Sequence, residues 1–275
     1  MSRTVPFTKM HGAGNDFIML DGRRLRAAGV TLDRARIARW CARRLGIGAD
    51  GLIVVDADPD PAVDFRMTYF NSDGGEASLC GNGARCCFAF ARAVGLAGDS
   101  ARFRTAAGVV GAAAAGDDVR VELPPPGEVR LDLPLAAAHP FGAVHLADTG
   151  VPHLVIPVAN VEEVDVPRWG PRLRGDPALG PAGANVDWVQ PLAGGTFLIR
   201  TYERGVEAET LACGTGAAAA ALVLVRLGRA ASPVTLLTRA GYRLTIDVAA
   251  AAGGHRLRLT GPVATVFQGE VPVDD

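Results

Sequence analysis

Two short stretches of this chain repeat each other, and the repeat limits the folds open to it. Cys80-Gly81-Asn82-Gly83-Ala84 recurs as Cys213-Gly214-Thr215-Gly216-Ala217. Each opens an Ala-rich, helix-prone run. Each is followed, 25 residues after its Cys, by Thr-x-Ala-Gly, at Thr105 to Gly108 and at Thr238 to Gly241. Agreement in both motif and offset points to an internal duplication that sets one cysteine per half at a helix N-terminus. A chain of 275 residues accommodates two domains of ordinary size. They are expected at 1–125 and 126–275, joined through Pro124-Pro125-Pro126-Gly127. The last strand, about 263–275, is expected to pack back on the first domain.

Short strands punctuated by Gly and Pro dominate both halves. In the first they run from Val5–Lys9 through Phe17–Asp21, Leu52–Asp56, Phe65–Phe70 and Arg102–Thr105 to Val119–Leu123. In the second they run from Val144–Ala147 through Leu154–Val158, Val186–Val189, Phe197–Tyr202, Val234–Thr238, Leu244–Val248 and Arg256–Leu259 to Val263–Phe267. Ala112–Gly116 and Ala249–Gly254 read as hairpin tips at matching places. Helices are few: Thr31–Leu45, with Asp33 near its start and Gly46 as a stop, Gly83–Val94, Gly216–Leu227, and a short one at Val161–Val166. The two Cys-headed helices are apolar nearly all round, as buried helices are. The expected fold is α/β of the α+β type: two pseudo-symmetric domains, each a curved, mainly antiparallel sheet wrapped around a central helix.

Composition narrows the partners. Hydrophobic residues make up 49% of the chain and charged residues 21%, enough apolar surface for two cores. The net charge of −1 offers no bulk field for nucleic acid or a membrane surface, and neither is expected as a partner. Met1 to Asn15 carries no apolar signal segment, and the longest apolar run, Ala217 to Val225, is far short of the roughly 20 residues that cross a bilayer. A cytoplasmic protein is expected. Five cysteines without a paired C-x-x-C spacing argue against a disulfide framework and a zinc site. Cys41, Cys86 and Cys87 read as small core residues.

Cys80 and Cys213 are set apart from these three by the glycines directly C-terminal to them. Glycines bring backbone N–H groups close to a ligand, and the first N–H groups of a helix are unpaired and favour negative charge. The same setting is expected to lower a thiol pKa toward or below 7. Each motif thus offers a thiolate base beside an anion cradle. Two such thiols on either side of an α-carbon suit a reaction that removes a proton from one face and returns one to the other. Pyridoxal phosphate chemistry needs a Schiff-base lysine, and the single lysine, Lys9, precedes a Gly-rich turn without a phosphate cup. Gly12-Ala13-Gly14-Asn15 lacks the third glycine of a dinucleotide fingerprint. No cofactor and no metal are expected.

Two polar clusters belong with the thiols. Asn71-Ser72-Asp73-Gly74 and Tyr202-Glu203-Arg204-Gly205 each follow a strand and begin near a strand end, Asn71 9 residues before Cys80 and Glu203 10 before Cys213. Arg204 can clamp a carboxylate bidentately. Glu203 can meet an ammonium, tune a thiol, or simply pair with Arg204 in a turn. His153, in Gly150-Val151-Pro152-His153, can tune a cysteine or serve the structure alone.

Taken together, these residues resemble the diaminopimelate epimerase family nearly end to end. The matching segments are Lys9 to Phe17, Gly46 to Gly51, Phe70 to Gly74, Cys80 to Cys86, Pro152-His153, Asn185-Val186-Asp187, Tyr202 to Gly205 and Glu209 to Gly216. The resemblance implies a cofactor-independent epimerase that interconverts LL- and meso-diaminopimelate in lysine and cell-wall precursor synthesis. It implies Cys80 and Cys213 as the acid/base pair. Asn15, Asn71, Asn185, Glu203 and Arg204 would bind substrate, with Arg204 on the distal carboxylate. Backbone amides of Gly81, Asn82, Gly214 and Thr215 would cradle the reacting carboxylate, and His153 and Glu203 would modulate the thiols. It further implies a site in the cleft between the domains and a homodimer with Phe267 at the interface. The chain departs from some members at Val151, where they carry Asn, at Gly51, where they carry Gln, and in a longer turn at Val206-Glu207-Ala208. Two rival readings are a proline-racemase-like or phenazine-pathway-like enzyme of the same architecture, and a thiol redox sensor or binding protein without turnover.

Overall fold

In a computed structural model, residues 3–273 are described, and the chain divides into two compact units. One runs up to Val121 and takes in the chain again from Gly261; the other is Glu122–Thr260. The first unit is completed by the strand Val263–Pro272, which pairs antiparallel along Thr4–Gly12. The last two residues of the 263–275 segment lie outside the described residues.

Each unit is built by the same series of strand pairings. In the first, Thr4–Gly12 pairs antiparallel with Asn15–Asp21, which runs parallel to Gly51–Asp56. Gly51–Asp56 pairs antiparallel with Phe65–Asn71, and that strand runs parallel to Ser100–Thr105. Antiparallel Gly108–Ala115 and Asp118–Glu122 follow. In the second, His145–Asp148 pairs antiparallel with Pro152–Pro157, which runs parallel to Asn185–Pro191. Thr196–Glu203 follows antiparallel, Val234–Leu237 parallel, then Arg243–Ala251 and Gly254–Gly261 antiparallel. The mixture is mainly antiparallel with few helices, as the sequence indicates.

The parallel neighbours explain where the Cys helices sit. Parallel strands cannot be joined by a tight turn and need a crossover. Between Phe65–Asn71 and Ser100–Thr105 the crossover is the helix Gly81–Ala93; between Thr196–Glu203 and Val234–Leu237 it is Gly214–Arg226. A crossover helix starts near the carboxyl end of the strand it leaves. Cys213 therefore lies near Glu203, the last residue of the strand its crossover leaves.

Both helices are buried. Along the first, Ala84, Cys86, Cys87, Phe88, Phe90 and Ala91 face the strands of their own unit; along the second, Ala217 to Leu224 do. The 13-residue Ala- and Gly-rich helices are slim enough for a sheet to curve round. Separate apolar clusters fill the rest. One holds Val5, Ile18, Leu20, Ile37, Trp40 and Cys41; another, in the second unit, gathers Leu154, Ile156, Val186, Trp188 and Tyr202.

Local readings are corrected in three places. Arg34–Cys41 is shorter than the expected Thr31–Leu45; Asp33 caps it by accepting from the Arg36 N–H at 2.7 Å, and the chain leaves the helix after Cys41. Ala112–Ala115 and Ala249–Ala251 are strand body, paired with Asp118 to Val121 and with Gly254 to Arg256, so the tips fall at Gly116-Asp117 and Ala252-Gly253. Val161–Glu163 is a 3-10 turn, and an unexpected helix follows at Val166–Arg174. Its two prolines and a glycine hid it, but Asp165 caps it and Pro167 sits in the first turn, where no N–H is needed.

Candidate functional site

The first unit gathers its polar residues around Cys80. Cys80 is the N-cap of Gly81–Ala93, half-buried, and its thiol donates to Asn15 Oδ1 at 3.4 Å. The Asn15 amide is held from its other end, where Nδ2 donates to Asp50 Oδ2 at 2.7 Å. Asp50 is itself paired with Arg43 at 2.6 Å, and Arg43 and Lys9 both pair with Asp16. Burial pushes the Asp16 carboxyl up, but hydrogen bonds from Arg43 and Lys9 outweigh it and bring the pKa down to about 2. This ion cluster fixes the Asn15 strand end. Asn82, the second helical residue, reaches toward Asn15 with Nδ2, while its Oδ1 accepts from Arg85 at 3.0 Å. Arg85 is fully buried, its guanidinium folded back onto the first turn, where it also meets the Gly81 carbonyl. Asn71 is exposed at its strand end, its amide oxygen accepting from Tyr69 Oη at 3.0 Å.

The second unit surrounds Cys213 with ionisable groups. Cys213 caps Gly214–Arg226 and accepts from the Gly216 N–H at 3.4 Å. Its sulfur lies 3.3 Å from Thr215 Oγ1, which lies 3.0 Å from His153 Nε2. His153 Nδ1 is 2.7 Å from Asp187 Oδ2, and both side chains are wholly buried. Thr201 Oγ1 donates to the other Asp187 oxygen at 2.6 Å. Asn185 turns Nδ2 toward His153 Nε2 at 3.2 Å while its Oδ1 accepts the Arg204 backbone N–H at 2.8 Å. Glu203 accepts from Thr210 Oγ1 at 2.5 Å, and its charge acts on Cys213. The Arg204 guanidinium is half-exposed and donates to the Ala182 carbonyl at 3.1 Å. The longer turn after it is stabilised by Glu207, which accepts from the Gly205 N–H and pairs with Arg174.

Each unit thus brings its own predicted residues together: Cys80, Gly81, Asn82 and Asn15 in one, with Asn71 at the adjacent strand end; Cys213, Gly214, Thr215, His153, Asn185, Glu203 and Arg204 in the other. Phe267 is 45% exposed and packs edge-on against Phe7. Among the described residues no helix is long and apolar enough to cross a membrane.

The electrostatics of Cys213 run against the expectation for a helix N-terminus. Burial pushes its thiol well above the usual range, and the Glu203 and Asp187 carboxylates push it further. The Thr215 hydroxyl and Gly216 N–H oppose this without winning. Burial also raises the Glu203 carboxyl, so it holds its proton to higher pH than an ordinary glutamate. Two residues were not singled out from sequence: Asp187 and Arg85. A signal for Asp187 was present, an acid flanked by Val186 and Trp188 in a strand that reads as buried.

Gly51 resolves one departure from the family pattern. A Cβ there would come within 2.6 Å of the Phe70 carbonyl and 2.7 Å of the Tyr69 ring, so no longer residue fits this backbone.

Comparison with known proteins decides the family. The chain matches the family described as Diaminopimelate epimerase over residues 7–127 and 145–266. The chain belongs to the diaminopimelate epimerase family. It is 42% identical to a diaminopimelate epimerase of Aquifex aeolicus, with 96% of this chain and 97% of that protein covered. It is also 42% identical to one from Gemmatimonas aurantiaca, with 96% and 98% covered. Among solved structures, a phenazine biosynthesis protein of the PhzF family from Bacillus anthracis has a similar fold: TM-score 0.75, 17% identity, 98% of this chain and 99% of that one. A hydroxyproline epimerase from Agrobacterium vitis, solved with bound trans-4-hydroxy-L-proline, gives a TM-score of 0.73 at 18% identity, covering 100% and 95%. At such identity these two speak for the fold of this chain alone.

Proposed function

We propose that this protein is a cofactor-independent epimerase that interconverts LL- and meso-2,6-diaminopimelate, in lysine and peptidoglycan precursor synthesis, by a two-base mechanism. Family membership carries the substrate. The duplicated Cys-headed helix carries the mechanism, because it supplies two thiols of the same design and no more than two.

In this reading Cys80 and Cys213 address opposite faces of one α-carbon, one as thiolate and one as thiol. The thiolate takes the α-proton, the thiol delivers its own to the other face, and reversing the roles runs the reaction backward. The first N–H groups of the two helices, at Gly81 and Asn82 and at Gly214 and Thr215, hold the reacting carboxylate and the charge that builds on it. Asn15, Asn71, Asn185 and Glu203 bind the rest of the substrate, with Arg204 on the distal carboxylate. His153 and Glu203 modulate the thiols. We place the enzyme in the cytoplasm as a homodimer with Phe267 at its interface.

The direct test supplies reduced protein with LL-diaminopimelate, without pyridoxal phosphate, and with L-lysine and L-proline as controls. Meso-diaminopimelate should form while neither control racemises. L-lysine lacks the distal carboxylate, so its turnover at a comparable rate would contradict the role given to Arg204. Turnover of proline alone would overturn the substrate.

A further inference from the structure

Strand register aligns the two units residue by residue. Phe70 lies opposite Leu52 as Tyr202 lies opposite Val186, and Phe17 lies beside Gly51 as His153 lies beside Asn185. Ile53 pairs with Tyr69 where Asp187 pairs with Thr201. Asp187, His153 and Thr201 therefore occupy the places that Ile53, Phe17 and Tyr69 fill in the first unit. The glycines confirm the match independently. A Cβ on Gly83, three residues after Cys80, would meet Ile53 Cδ1 and the Phe17 ring; one on Gly216, three after Cys213, would meet Asp187 Oδ1 and His153 Cε1.

The fold accepts apolar residues at these places, and both side chains of the Asp187–His153 pair are wholly buried. Desolvating such a pair costs more than its mutual attraction commonly returns, and well-packed apolar residues are often as stable. Folding alone does not account for an acid and an imidazole here.

We infer that Asp187 is a positioning residue for proton transfer at Cys213, acting through His153 and the Thr215 hydroxyl. The inference rests on the reading of Cys213 as one of the two acid/base thiols. An ionised carboxylate only accepts, so Asp187 keeps the imidazole proton on Nδ1 and leaves a lone pair on Nε2. Asn185 agrees: its oxygen is taken by the Arg204 N–H, and it presents an N–H to Nε2. Thr201 holds the second Asp187 oxygen and so fixes the carboxylate plane.

The Thr215 hydroxyl has one proton and two acceptors in reach, His153 Nε2 at 3.0 Å and Cys213 Sγ at 3.3 Å. While Cys213 is a thiol, the hydroxyl donates to His153. As the S–H bond breaks and the new C–H bond forms, the hydroxyl turns to the sulfur and joins the Gly216 N–H in holding the thiolate. Only a hydroxyl rotates, and no proton leaves the site. Without Asp187 the imidazole can carry its proton on Nε2, which turns the Thr215 hydroxyl toward sulfur at rest. Cys213 then gives up its proton too easily to serve as donor. The other charged group facing Cys213 is Glu203, and the first turn of the Cys213 helix holds no acid.

The test compares wild type, Asp187→Asn and the double variant His153→Phe/Asp187→Ile, which copies the packing of the first unit. Two readouts are taken: kcat and KM with LL-diaminopimelate, and the pH dependence of iodoacetamide alkylation at Cys213 and Cys80, separated by peptide mass spectrometry. For Asp187→Asn, kcat should fall about a hundredfold or more with KM within about threefold. The alkylation midpoint of Cys213 should move down by about one pH unit as a like charge is removed, with Cys80 unmoved. The double variant should fold and lose turnover likewise. A kcat within about threefold of wild type, or a fixed Cys213 midpoint, overturns the inference; a shift at both cysteines marks general loosening and overturns it as well. Should Asp187→Asn not fold, the double variant is read by the same criteria. Full turnover by Cys213→Ala would instead sink the reading of Cys213 itself. The alkylation readout still reports the hold of Asp187 on that sulfur when turnover is absent.

Discussion

The two Cys helices share a length, a glycine pattern and a place in a repeated series of strands, yet their cysteines sit in different chemical surroundings. Around Cys80 the ionised residues lie one step back. Asp50, Arg43 and Asp16 hold Asn15, whose amide oxygen accepts from the thiol. Around Cys213 the acids come close, and burial with Glu203 and Asp187 raises the thiol. Duplication preserved the backbone and the helix N-terminus. It left the supporting side chains free to diverge, from Phe17 and Ile53 in one copy to His153 and Asp187 in the other. One scaffold can thus set two thiols in unlike surroundings, which suits a reaction in which one must start ionised and the other protonated.

The largest effect expected on activity tests whether both copies are needed. Cys80→Ala and Cys213→Ala should each lower turnover of diaminopimelate by about 10³-fold or more, measured by chiral separation of product. Near-normal turnover by either would break the symmetry of roles. The largest effect on stability comes from moving the polar pair into the wrong copy. Phe17→His/Ile53→Asp should cost about 3–5 kcal/mol in chemical denaturation, because the first unit has no threonine to match Thr201. The converse, His153→Phe/Asp187→Ile, should leave stability unchanged or raise it by about 1–4 kcal/mol.

A smaller contrast concerns the third residue of each helix. Gly216→Ala pushes a methyl to 2.5 Å from the Asp187 carboxylate, whereas Gly83→Ala meets the movable end of Ile53 at 3.0 Å. Gly216→Ala should cost about 2–3 kcal/mol and most of the activity; Gly83→Ala should cost about 1 kcal/mol. The smallest effect lies at Asp16. Its folded pKa, about 2, is below the unfolded value, so its stabilisation is present above the ordinary carboxylate range and lost as pH falls toward 2. Asp16→Asn should flatten acid denaturation between about pH 4 and 2. An unchanged acid limb would remove the ion cluster from the account of Asn15.

Much of this comparison was open to reading in the sequence, and the part that was not has a physical cause. The cysteines, their glycines and the helices behind them are local signals, and so is the Asp33 cap. The offset of Glu203 from Cys213 was enough to place it near the start of its helix. The Asp187–His153 pair depends on register between strands more than 30 residues apart in sequence, which no local pattern encodes. The raised Cys213 thiol escaped for a related reason. The helix N-terminus is visible in sequence, while the acids that overrule it come from two other strands. The helix Val166–Arg174 was hidden by two prolines, Pro167 in its first turn and Pro171 in its interior.

Two thiols working on opposite faces of one α-carbon leave a distinct early label pattern in deuterated water. LL-diaminopimelate is incubated with reduced enzyme, stopped within the first few per cent of conversion, and both stereoisomers are analysed for α-deuterium. A thiol carries one proton, and in a two-base reaction the proton removed and the proton delivered are on different sulfurs. Meso product should carry one deuterium at the inverted carbon, with recovered LL substrate still unlabelled. Deuterium appearing as fast in recovered LL substrate as in product would mean one group serves both faces, and would contradict the two-thiol mechanism.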